Sequence, residues 1–394
     1  MRVLLVTNAN ELDKKLAALN PDLEYCGIVV DEVQSAKKAL ETVGLSQVPL
    51  YPMNELEACV KKFNQFYILC VAQDWCRMGL MRAVKKILPT RKIIDVWAIH
   101  TPINFLLERS LRYFKEHVAE FEMFATGISP TEKGIEPAQF KRKLFNFGRG
   151  SQDLYYNFQV AKFVISSCGG GHSKLRYALI GLTPYIFHWD VSKSNFQGIL
   201  LQHFIAFNNL HNFSVPAEVY RSFFNEEWLT KKLSVESFDI NIPYGRGTKL
   251  KGSMDQKAID ADSNTWKGRY FLETRDENIK ILDDYLTLCE GNNIRPVMFT
   301  VRVSEKYIAN FDKRLFEEFY SLVEQACQKH PSAVFFDGWK LKDFTYADFY
   351  DHAHLNVHGA AKFSTYLNDF IEELEFNYYK DLNNFYNRMN DSIE

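Results

Sequence analysis

Short apolar runs alternate with amphipathic stretches through the first hundred residues. Four of these runs have the length and the continuous apolar character of buried strands: residues 3–7, 25–30, 66–71 and 92–99. Between the runs, apolar residues recur at helical spacing, as Leu12, Leu16 and Leu19 do. Strands that alternate with helices predict right-handed βαβ units and a parallel sheet. Residues 48–52 predict a short additional strand at the edge of that sheet, because prolines are excluded from central strands.

A second series of strand-like runs begins near residue 119. Its members are residues 121–126, 145–147, 177–180, 294–301 and 333–336. We therefore predict an α/β chain of two parallel-sheet domains, the first at 1–100 and the second, doubly wound, at 119–394. Residues 101–118 carry a helix start signal at Thr101-Pro102 and are predicted to form a connecting helix. The length of 394 residues agrees with two domains, because single cores stop growing beyond about 300 residues.

The end of the first strand carries no phosphate-binding loop. The strand runs into Asn8-Ala9-Asn10-Glu11, without the glycines that let a backbone approach a pyrophosphate. Asn8 or Asn10 is predicted to cap the next helix instead. The pattern is similar to that of the Rossmann-like N-terminal domains of some sugar-modifying enzymes. For this domain the sequence leaves sugar or nucleotide-sugar binding, dimerisation and substrate presentation open.

Residues 190–267 interrupt the strand–helix rhythm of the second domain. An insertion between its third and fourth strands is expected above the strand ends, where long loops often form lids or binding elements. The alternatives are a lid that contacts a sugar and a helical subdomain with a small core of its own. The side chains that such a lid would offer are His203, His211, Trp228, Tyr244 and Trp266.

Composition and charge exclude several kinds of partner. The formal net charge is -2 and no basic tract stands out, which gives no electrostatic case for nucleic acid. The seven cysteines lack CxxC or Cys/His ligand spacing, which favours reduced thiols in a cytoplasmic protein over disulfides or zinc. No window approaches the length of about 18 uncharged apolar residues that a membrane span requires, and no signal sequence is visible. The polar, aromatic-rich tail 376–394 is predicted to be a peripheral helix, with a homo-oligomer contact as its candidate role.

The most informative stretch is Asp351-His352-Ala353-His354, followed by Leu355-Asn356 and a small-residue helix start. A carboxylate three residues before a histidine can hold one ring nitrogen while the other faces a pocket. This is the base half of a nucleophilic-catalysis site, which needs a serine or cysteine from elsewhere in the chain. The alternative is a polar turn whose Asp351 caps the following helix.

Three earlier strand ends carry residues that suit the other half of such a site. The first reads Thr126-Gly127-Ile128-Ser129 before Pro130, so Ser129 is either a nucleophile, a helix cap or both. The second ends in the loop Gly148-Arg149-Gly150, which is either a source of an oxyanion N–H or an ordinary βα turn. The third ends in Gly181-Leu182-Thr183.

These blocks, in this order, resemble the SGNH (GDSL-like) hydrolase superfamily over residues 119–375, and its carbohydrate O-acyltransferase and esterase branch in particular. The resemblance implies Ser129 as nucleophile, His354 as general base and Asp351 as the residue that orients it. It implies Gly148 or Gly150 as an oxyanion donor, with Thr183 at the third block. We also expect three side chains to contact substrate: Tyr185, His188 and Asn356.

Two blocks depart from the superfamily pattern. The first reads Thr-Gly-Ile-Ser rather than Gly-Asp-Ser, and the third presents Thr183 where an asparagine amide is usual. A threonine hydroxyl is a shorter donor, and loss of one oxyanion donor typically costs about a hundred- to thousand-fold in rate. A degenerate, non-catalytic copy of the fold therefore remains an alternative.

The expected activity is transfer or removal of an O-linked acyl group, most simply acetyl, on a surface polysaccharide or glycoconjugate. We expect no bound cofactor and no metal, with acetyl-coenzyme A as the candidate acyl donor in the cytoplasm. The competing hypothesis is a glycan- or partner-binding protein that retains the site only as a groove.

Overall fold

The structure is a computed structural model that describes residues 1–72, 74–88, 93–97, 101, 105–169, 174–194, 196–234 and 255–375. The described residues divide into two compact units, Met1–Arg109 with Val191–Phe238 and Ser110–Asp190 with Asp239–Glu394. Each unit contains one five-stranded sheet in which all neighbouring strands are parallel. The predicted α/β class with two parallel sheets is therefore confirmed. The predicted tail helix at 376–394 lies outside the described residues.

The first sheet follows the predicted alternation of strands and helices. Its strands are β1 (Arg2–Thr7), β2 (Glu24–Val30), β3 (Leu50–Pro52), β4 (Tyr67–Ala72) and β5 (Ile93–Trp97). The helices between them are α1 (Leu12–Ala18), α2 (Val33–Thr42), α3 (Leu56–Lys62) and α4 (Asp74–Ile87). The order across the sheet is β3-β2-β1-β4-β5. The proline-containing β3 is at the edge, where its missing N–H costs no hydrogen bond within the sheet.

Both faces of this sheet are covered. Val3 and Leu5 of β1 belong to one buried hydrophobic cluster, whereas Leu4 and Val6 belong to another. Successive strand residues point to opposite faces, so the two clusters are the cores on either side of the sheet. Burial on both faces explains why the strands are continuous apolar runs rather than alternating ones.

The boundary between the units falls within the predicted connector. Helix α5 spans Leu106–Glu116, and the division lies between Arg109 and Ser110. The second unit then continues with β6 (Met123–Thr126), α6 (Ser129–Gly134), β7 (Leu144–Asn146), α7 (Leu154–Ser167) and β8 (Tyr177–Leu182).

The segment predicted as one insertion at 190–267 is divided between the units. Its first helices, α8 (Leu200–Phe207), α9 (Ala217–Arg221) and α10 (Glu226–Leu233), belong to the first unit. Leu201 and Phe204 of α8 share a hydrophobic cluster with Leu5 and Val30 of the first sheet. The spacing of apolar residues in these helices predicts a buried face, but it does not predict which of the two sheets that face covers.

The remaining elements complete the second unit. They are α11 (Gln256–Trp266), α12 (Leu272–Gly291), β9 (Arg295–Thr300), α13 (Glu305–Asn310), α14 (Lys313–Lys329), β10 (Val334–Asp337), β11 (Phe349–Asp351), β12 (His354–Leu355) and α15 (Val357–Glu375). The second sheet has the order β10-β9-β8-β6-β7, and β11 and β12 form a separate antiparallel hairpin. Among the described helices, none combines the length and the apolar character that crossing a bilayer demands.

A buried histidine joins two segments near the start of β10. His330 is 4% exposed, with Nδ1 at 2.8 Å from Glu290 Oε2 and Nε2 at 2.9 Å from Asp283 Oδ1. Burial opposes protonation of the ring, but the two carboxylates outweigh it and raise the pKa of His330. The imidazolium therefore bridges α12 to the turn before β10.

This bridge should make stability depend on pH. Because the pKa of His330 is higher in the folded than in the unfolded chain, its contribution is fully present below about pH 6.5 and is lost as pH rises through the folded value. We expect His330→Gln to cost about 1–3 kcal/mol at pH 6 and less at pH 9. Thermal unfolding of both proteins across this range measures the difference. His117→Gln is the control, because the His117 ring contacts the neutral Tyr113 carbonyl, and an equal loss at every pH for His330→Gln would contradict the assignment.

Candidate active site

Ser129 lies where the first strand of the second unit ends. Strand β6 stops at Thr126 and helix α6 begins at Ser129. Gly127 joins them with φ of 154°, and a Cβ atom added there would overlap the Thr131 side chain. Ile128, not Ser129, is the N-cap residue of α6. The Ser129 hydroxyl is therefore directed away from a capping role.

His354 is presented by the β11–β12 hairpin. Asp351 pairs with His354 across the two strands, and its Oδ1 also accepts the Ala353 N–H at 2.9 Å. Helix α15 is capped by Asn356, whose Oδ1 accepts two backbone N–H groups of the first turn at 3.0 Å each. Asp351 does not cap this helix, which was the alternative reading of the sequence, and it is left to hold the histidine.

The three predicted catalytic side chains lie in one hydrogen-bonded row. His354 Nδ1 is 2.8 Å from Asp351 Oδ1, and His354 Nε2 is 2.8 Å from Ser129 Oγ. An ionised carboxylate only accepts hydrogen bonds, so Nδ1 carries the ring proton and donates a hydrogen bond to Asp351. In the neutral ring Nε2 is then the acceptor for the Ser129 O–H. This is the geometry in which a histidine can take a proton from a serine.

The charge of Asp351 is secured by its surroundings. Burial acts to raise the pKa of Asp351, but the hydrogen bond from His354 and the charge of that ring outweigh burial and lower the pKa to about 2. The carboxylate therefore remains ionised throughout the neutral range. It is available to stabilise a positive charge on His354.

The two glycines predicted to offer an oxyanion N–H are already occupied. The Gly148 N–H donates to Asn146 Oδ1 at 2.9 Å, and the Gly150 N–H donates to Glu132 Oε2 at 3.0 Å. A Cβ at Gly148 would also meet the Glu132 backbone at 2.6 Å, so this glycine permits close packing of the loop on α6. Neither N–H is open to a ligand in this arrangement.

Thr183 is likewise turned inward. Thr183 is 6% exposed, and its hydroxyl oxygen is buried without a hydrogen-bond partner among the described residues. The hydroxyl is thus not presented to a substrate oxygen. Gly181 at the start of this block has a clear packing role, because a Cβ there would overlap the Thr131 side chain.

Thr183→Val should test whether the Thr183 hydroxyl is an oxyanion donor. Valine keeps the shape of threonine and removes the hydroxyl, so we expect kcat to change by less than about threefold, far below the loss that removal of an oxyanion donor causes. The measurement is kcat on an acetyl ester, normalised to the folded fraction from a melting curve. A drop of about a hundredfold in the folded protein would instead assign Thr183 to the oxyanion hole.

The three residues predicted to contact substrate have other partners. His188 is 3% exposed, with Nε2 at 2.7 Å from Glu318 and Nδ1 accepting the Phe271 N–H at 3.0 Å. Asn356 is 1% exposed, and besides capping α15 its amide donates to the Ala347 carbonyl at 2.7 Å. Tyr185 is covered by a stacked ring from α11. His188 and Asn356 thus brace the loops around the site and offer no open hydrogen-bonding group to a substrate.

No protein-family model and no curated protein matches the chain. The resemblance of residues 119–375 to SGNH-type hydrolases therefore stays a prediction.

A buried ion pair next to the serine was not predicted. Glu132 lies one turn after Ser129 on α6, and its Oε1 is 3.8 Å from Nη1 of the buried Arg149. Burial raises the pKa of Glu132 and lowers the pKa of Arg149, because both charges are removed from water. Glu132 also holds the 148–150 loop against α6, because its Oε2 accepts the Gly150 N–H at 3.0 Å.

Helix α11 packs against the hairpin and the third block. Asp262 Oδ2 is 2.9 Å from His352 Nε2, and Trp266 stacks on Tyr185 with ring centroids 3.9 Å apart and an interplanar angle of 5°. Burial acts to lower the pKa of His352, but the Asp262 carboxylate outweighs it and raises the pKa. This part of the predicted insertion therefore supports the residues beside the triad.

The other predicted lid side chains that the structure describes belong to the first unit. His203 is fully buried and Trp228 packs against the core of the first unit, whereas Tyr244 lies outside the described residues. His211 also belongs to the first unit. No group of three or more His, Cys, Asp or Glu in the described ranges is arranged to hold a metal ion.

Proposed function

We propose that the second unit is a serine-dependent acyltransferase or esterase that acts on an O-acetyl group of a carbohydrate. The observation that carries the proposal is the row Ser129–His354–Asp351, whose two hydrogen bonds are both 2.8 Å. The residues come from two regions 225 positions apart in the chain. Their convergence supports a shared chemical role, because local folding alone does not bring them together.

In this mechanism Ser129 Oγ attacks the acyl carbonyl carbon while its proton passes to His354 Nε2. Asp351 stabilises the resulting imidazolium, and the carbonyl oxygen becomes an oxyanion. Collapse of the tetrahedral intermediate breaks the bond to the leaving alcohol or thiol, which takes the proton from His354. A sugar hydroxyl or water then gives a proton to His354 and attacks the acyl-enzyme, and Ser129 Oγ leaves and regains that proton.

The backbone N–H of Ser129 is the candidate oxyanion donor. Ser129 is the first residue of α6, and the first N–H groups of a helix have no partner within the helix. This N–H belongs to the same residue as the nucleophilic hydroxyl. It remains a candidate although the N–H groups of Gly148 and Gly150 have other partners. One donor provides less stabilisation than two or three, so we expect a modest rate.

The strand order supports the assignment of the second unit as a doubly wound, SGNH-like domain. Its sheet, read from β7, runs second, first, third, fourth and fifth in chain order, which is a common order for doubly wound sheets. In such sheets ligands bind at the carboxyl ends of the strands, where Ser129 follows β6. These features agree with an SGNH-like hydrolase, for which we propose acetyl-coenzyme A or an acetylated sugar as acyl donor.

The order of the first sheet similarly supports a Rossmann-like first unit. A cavity of about 560 Å³ lies at the ends of its strands β1 and β2. Its charged lining residues are Glu11, Asp13, Asp31, Glu32 and Lys38. This excess of carboxylates disfavours a phosphate group, so we do not assign a nucleotide-binding role to the unit.

Assays with acetylated saccharides test the enzymatic proposal. The wild-type protein should release acetate from an O-acetyl sugar, or move acetyl from acetyl-coenzyme A to a sugar, and Ser129→Ala should do neither. Free acetate as the product indicates an esterase, and an acetylated sugar indicates a transferase. Equal rates for the two proteins would contradict the proposal.

The second candidate is a binding protein that uses the site as a groove. The observations that favour it are the occupied N–H groups of Gly148 and Gly150 and the buried Thr183 hydroxyl. This candidate predicts that Ser129→Ala binds a saccharide as tightly as the wild type, and that neither protein turns over an ester. Calorimetric titration of both proteins with the same saccharides separates the candidates.

A further inference from the structure

A cavity of about 520 Å³ lies beside edge strand β7 of the second unit. Its lining residues are Tyr113, Phe121, Glu132, Pro137, Ala138, Phe140, Lys141, Lys143, Leu144, Phe145, Asn146, Gly148 and Arg149. Neither Ser129 nor His354 is among them. The volume is within the range of about 300–1,000 Å³ that is usual for small-molecule sites.

Arg149 forms the charged floor of this cavity with few partners. The residue is 8% exposed, and its guanidinium makes one hydrogen bond, from Nη2 to Ser110 Oγ at 2.7 Å. Nη1 approaches Glu132 only to 3.8 Å, and the buried Nε has no hydrogen-bond partner. A guanidinium has five N–H donors, and leaving them unmatched in the interior is costly. An anion in the cavity would supply the missing acceptors.

The mouth of the cavity adds positive charge. Lys141 and Lys143 have side chains that are 70% and 54% exposed, and they pair with Glu372 and Glu120. Ion pairs this exposed are weak, so the two ammonium groups can turn toward an incoming anion. Within the lining itself, three cations face the single carboxylate of Glu132.

Aromatic rings form the wall between mouth and floor. Phe121, Phe140 and Phe145 are buried at the cavity, and Tyr113 on α5 is half-buried beside them. Aromatic rings along one wall, with the buried Arg149 cation at the floor, fit a compact ring that carries an acid group. The planar guanidinium matches a carboxylate edge to edge, whereas Glu132 would repel a doubly charged phosphate more strongly than a carboxylate.

We propose that this cavity is a second binding site, which takes a carboxylate-bearing sugar or a similar small acid with Arg149 as its anchor. The site is separate from the Ser129 row and does not depend on the enzymatic proposal. The carboxylate lies against the guanidinium, the ring lies along the aromatic wall, and the two lysines contact the outer edge of the ligand.

Calorimetric titration of the full chain with three probes tests this site. Glucuronate should bind, whereas glucose, which has the same ring without the acid, should bind at least roughly tenfold more weakly. Glucose 6-phosphate should also bind more weakly than glucuronate. Equal binding of glucuronate and glucose, tighter binding of the phosphate, or no glucuronate binding would each overturn the proposal.

Variants then locate the bound acid. Arg149→Met should weaken glucuronate at least roughly tenfold, because it removes the buried cation. Since that change affects the interior, the exposed double change Lys141→Gln with Lys143→Gln is the second variant, and it should weaken binding severalfold and reduce its salt dependence. Lys115→Gln, an exposed lysine of α5 outside the cavity, is the matched control. Unchanged affinity in both the Arg149 and the double-lysine variants would place the ligand elsewhere.

Discussion

Replacing Ser129 with alanine should lower kcat for acetyl-ester turnover by about 10⁴- to 10⁶-fold, and His354→Ala should do the same. Each change removes one end of the Ser129 Oγ–His354 Nε2 hydrogen bond, so that either the nucleophile or its base is lost. Because the two residues act in one step, the double variant should be little worse than either single one. Kinetics on the three variants and the wild type measure this directly.

Two matched controls accompany these variants. Ser166→Ala removes an exposed serine hydroxyl on α7, and His358→Ala removes an exposed imidazole in the first turn of α15. Both should retain wild-type turnover. Losses that add up in the Ser129/His354 double variant would show that the two residues do not share a chemical step.

Asp351→Asn should lower kcat by about 10³- to 10⁴-fold, less than the loss of the serine. Asp351 Oδ1 accepts both the Ala353 N–H and the His354 Nδ1–H. An asparagine that keeps the bond to Ala353 places its oxygen at Oδ1, which still accepts the His354 Nδ1–H, and its NH₂ group at the position of Oδ2, 3.0 Å from Nδ1. The negative charge that stabilises the imidazolium is then lost when His354 takes the proton of Ser129.

The Asp351→Asn experiment needs a fold check. The side chains of aspartate and asparagine have nearly the same shape, so the hairpin should persist, and a melting curve should stay close to that of the wild type. Full activity in a folded Asp351→Asn protein would mean that the charge of Asp351 does not support the base. Asp369→Asn, on the same unit, serves as a control for the loss of one carboxylate.

The strands were predictable from the sequence because buried parallel strands are continuous apolar runs. The runs at residues 3–7 and 177–180 lie within β1 and β8. The positions of Ser129 and of the Asp351/His354 pair were predictable as well, since each depends on a local strand-end or hairpin pattern. Their mutual distance was not fixed by any local pattern, and it follows from the register of β6 and the packing of α15.

The errors arise where a side chain meets a distant partner. His188 is a residue type that often contacts substrates, but its ring is hydrogen-bonded to Glu318, which is 130 residues away in the chain. The Gly150 N–H donates a hydrogen bond to Glu132, and Glu132 is not part of the motif that predicted Gly150 as an oxyanion donor. The placement of residues 191–238 in the first unit depends on which sheet an apolar helix face covers, and hydrophobic periodicity does not contain that information.

The central claim is that Ser129 is a nucleophile activated by His354. The most direct measurement is reaction of the full chain with a fluorophosphonate, followed by intact mass and peptide mapping. We predict one phosphonyl adduct per chain on Ser129, a much slower reaction in His354→Ala and no adduct in Ser129→Ala. An unmodified wild-type protein, or an adduct that forms equally in Ser129→Ala, would contradict the claim.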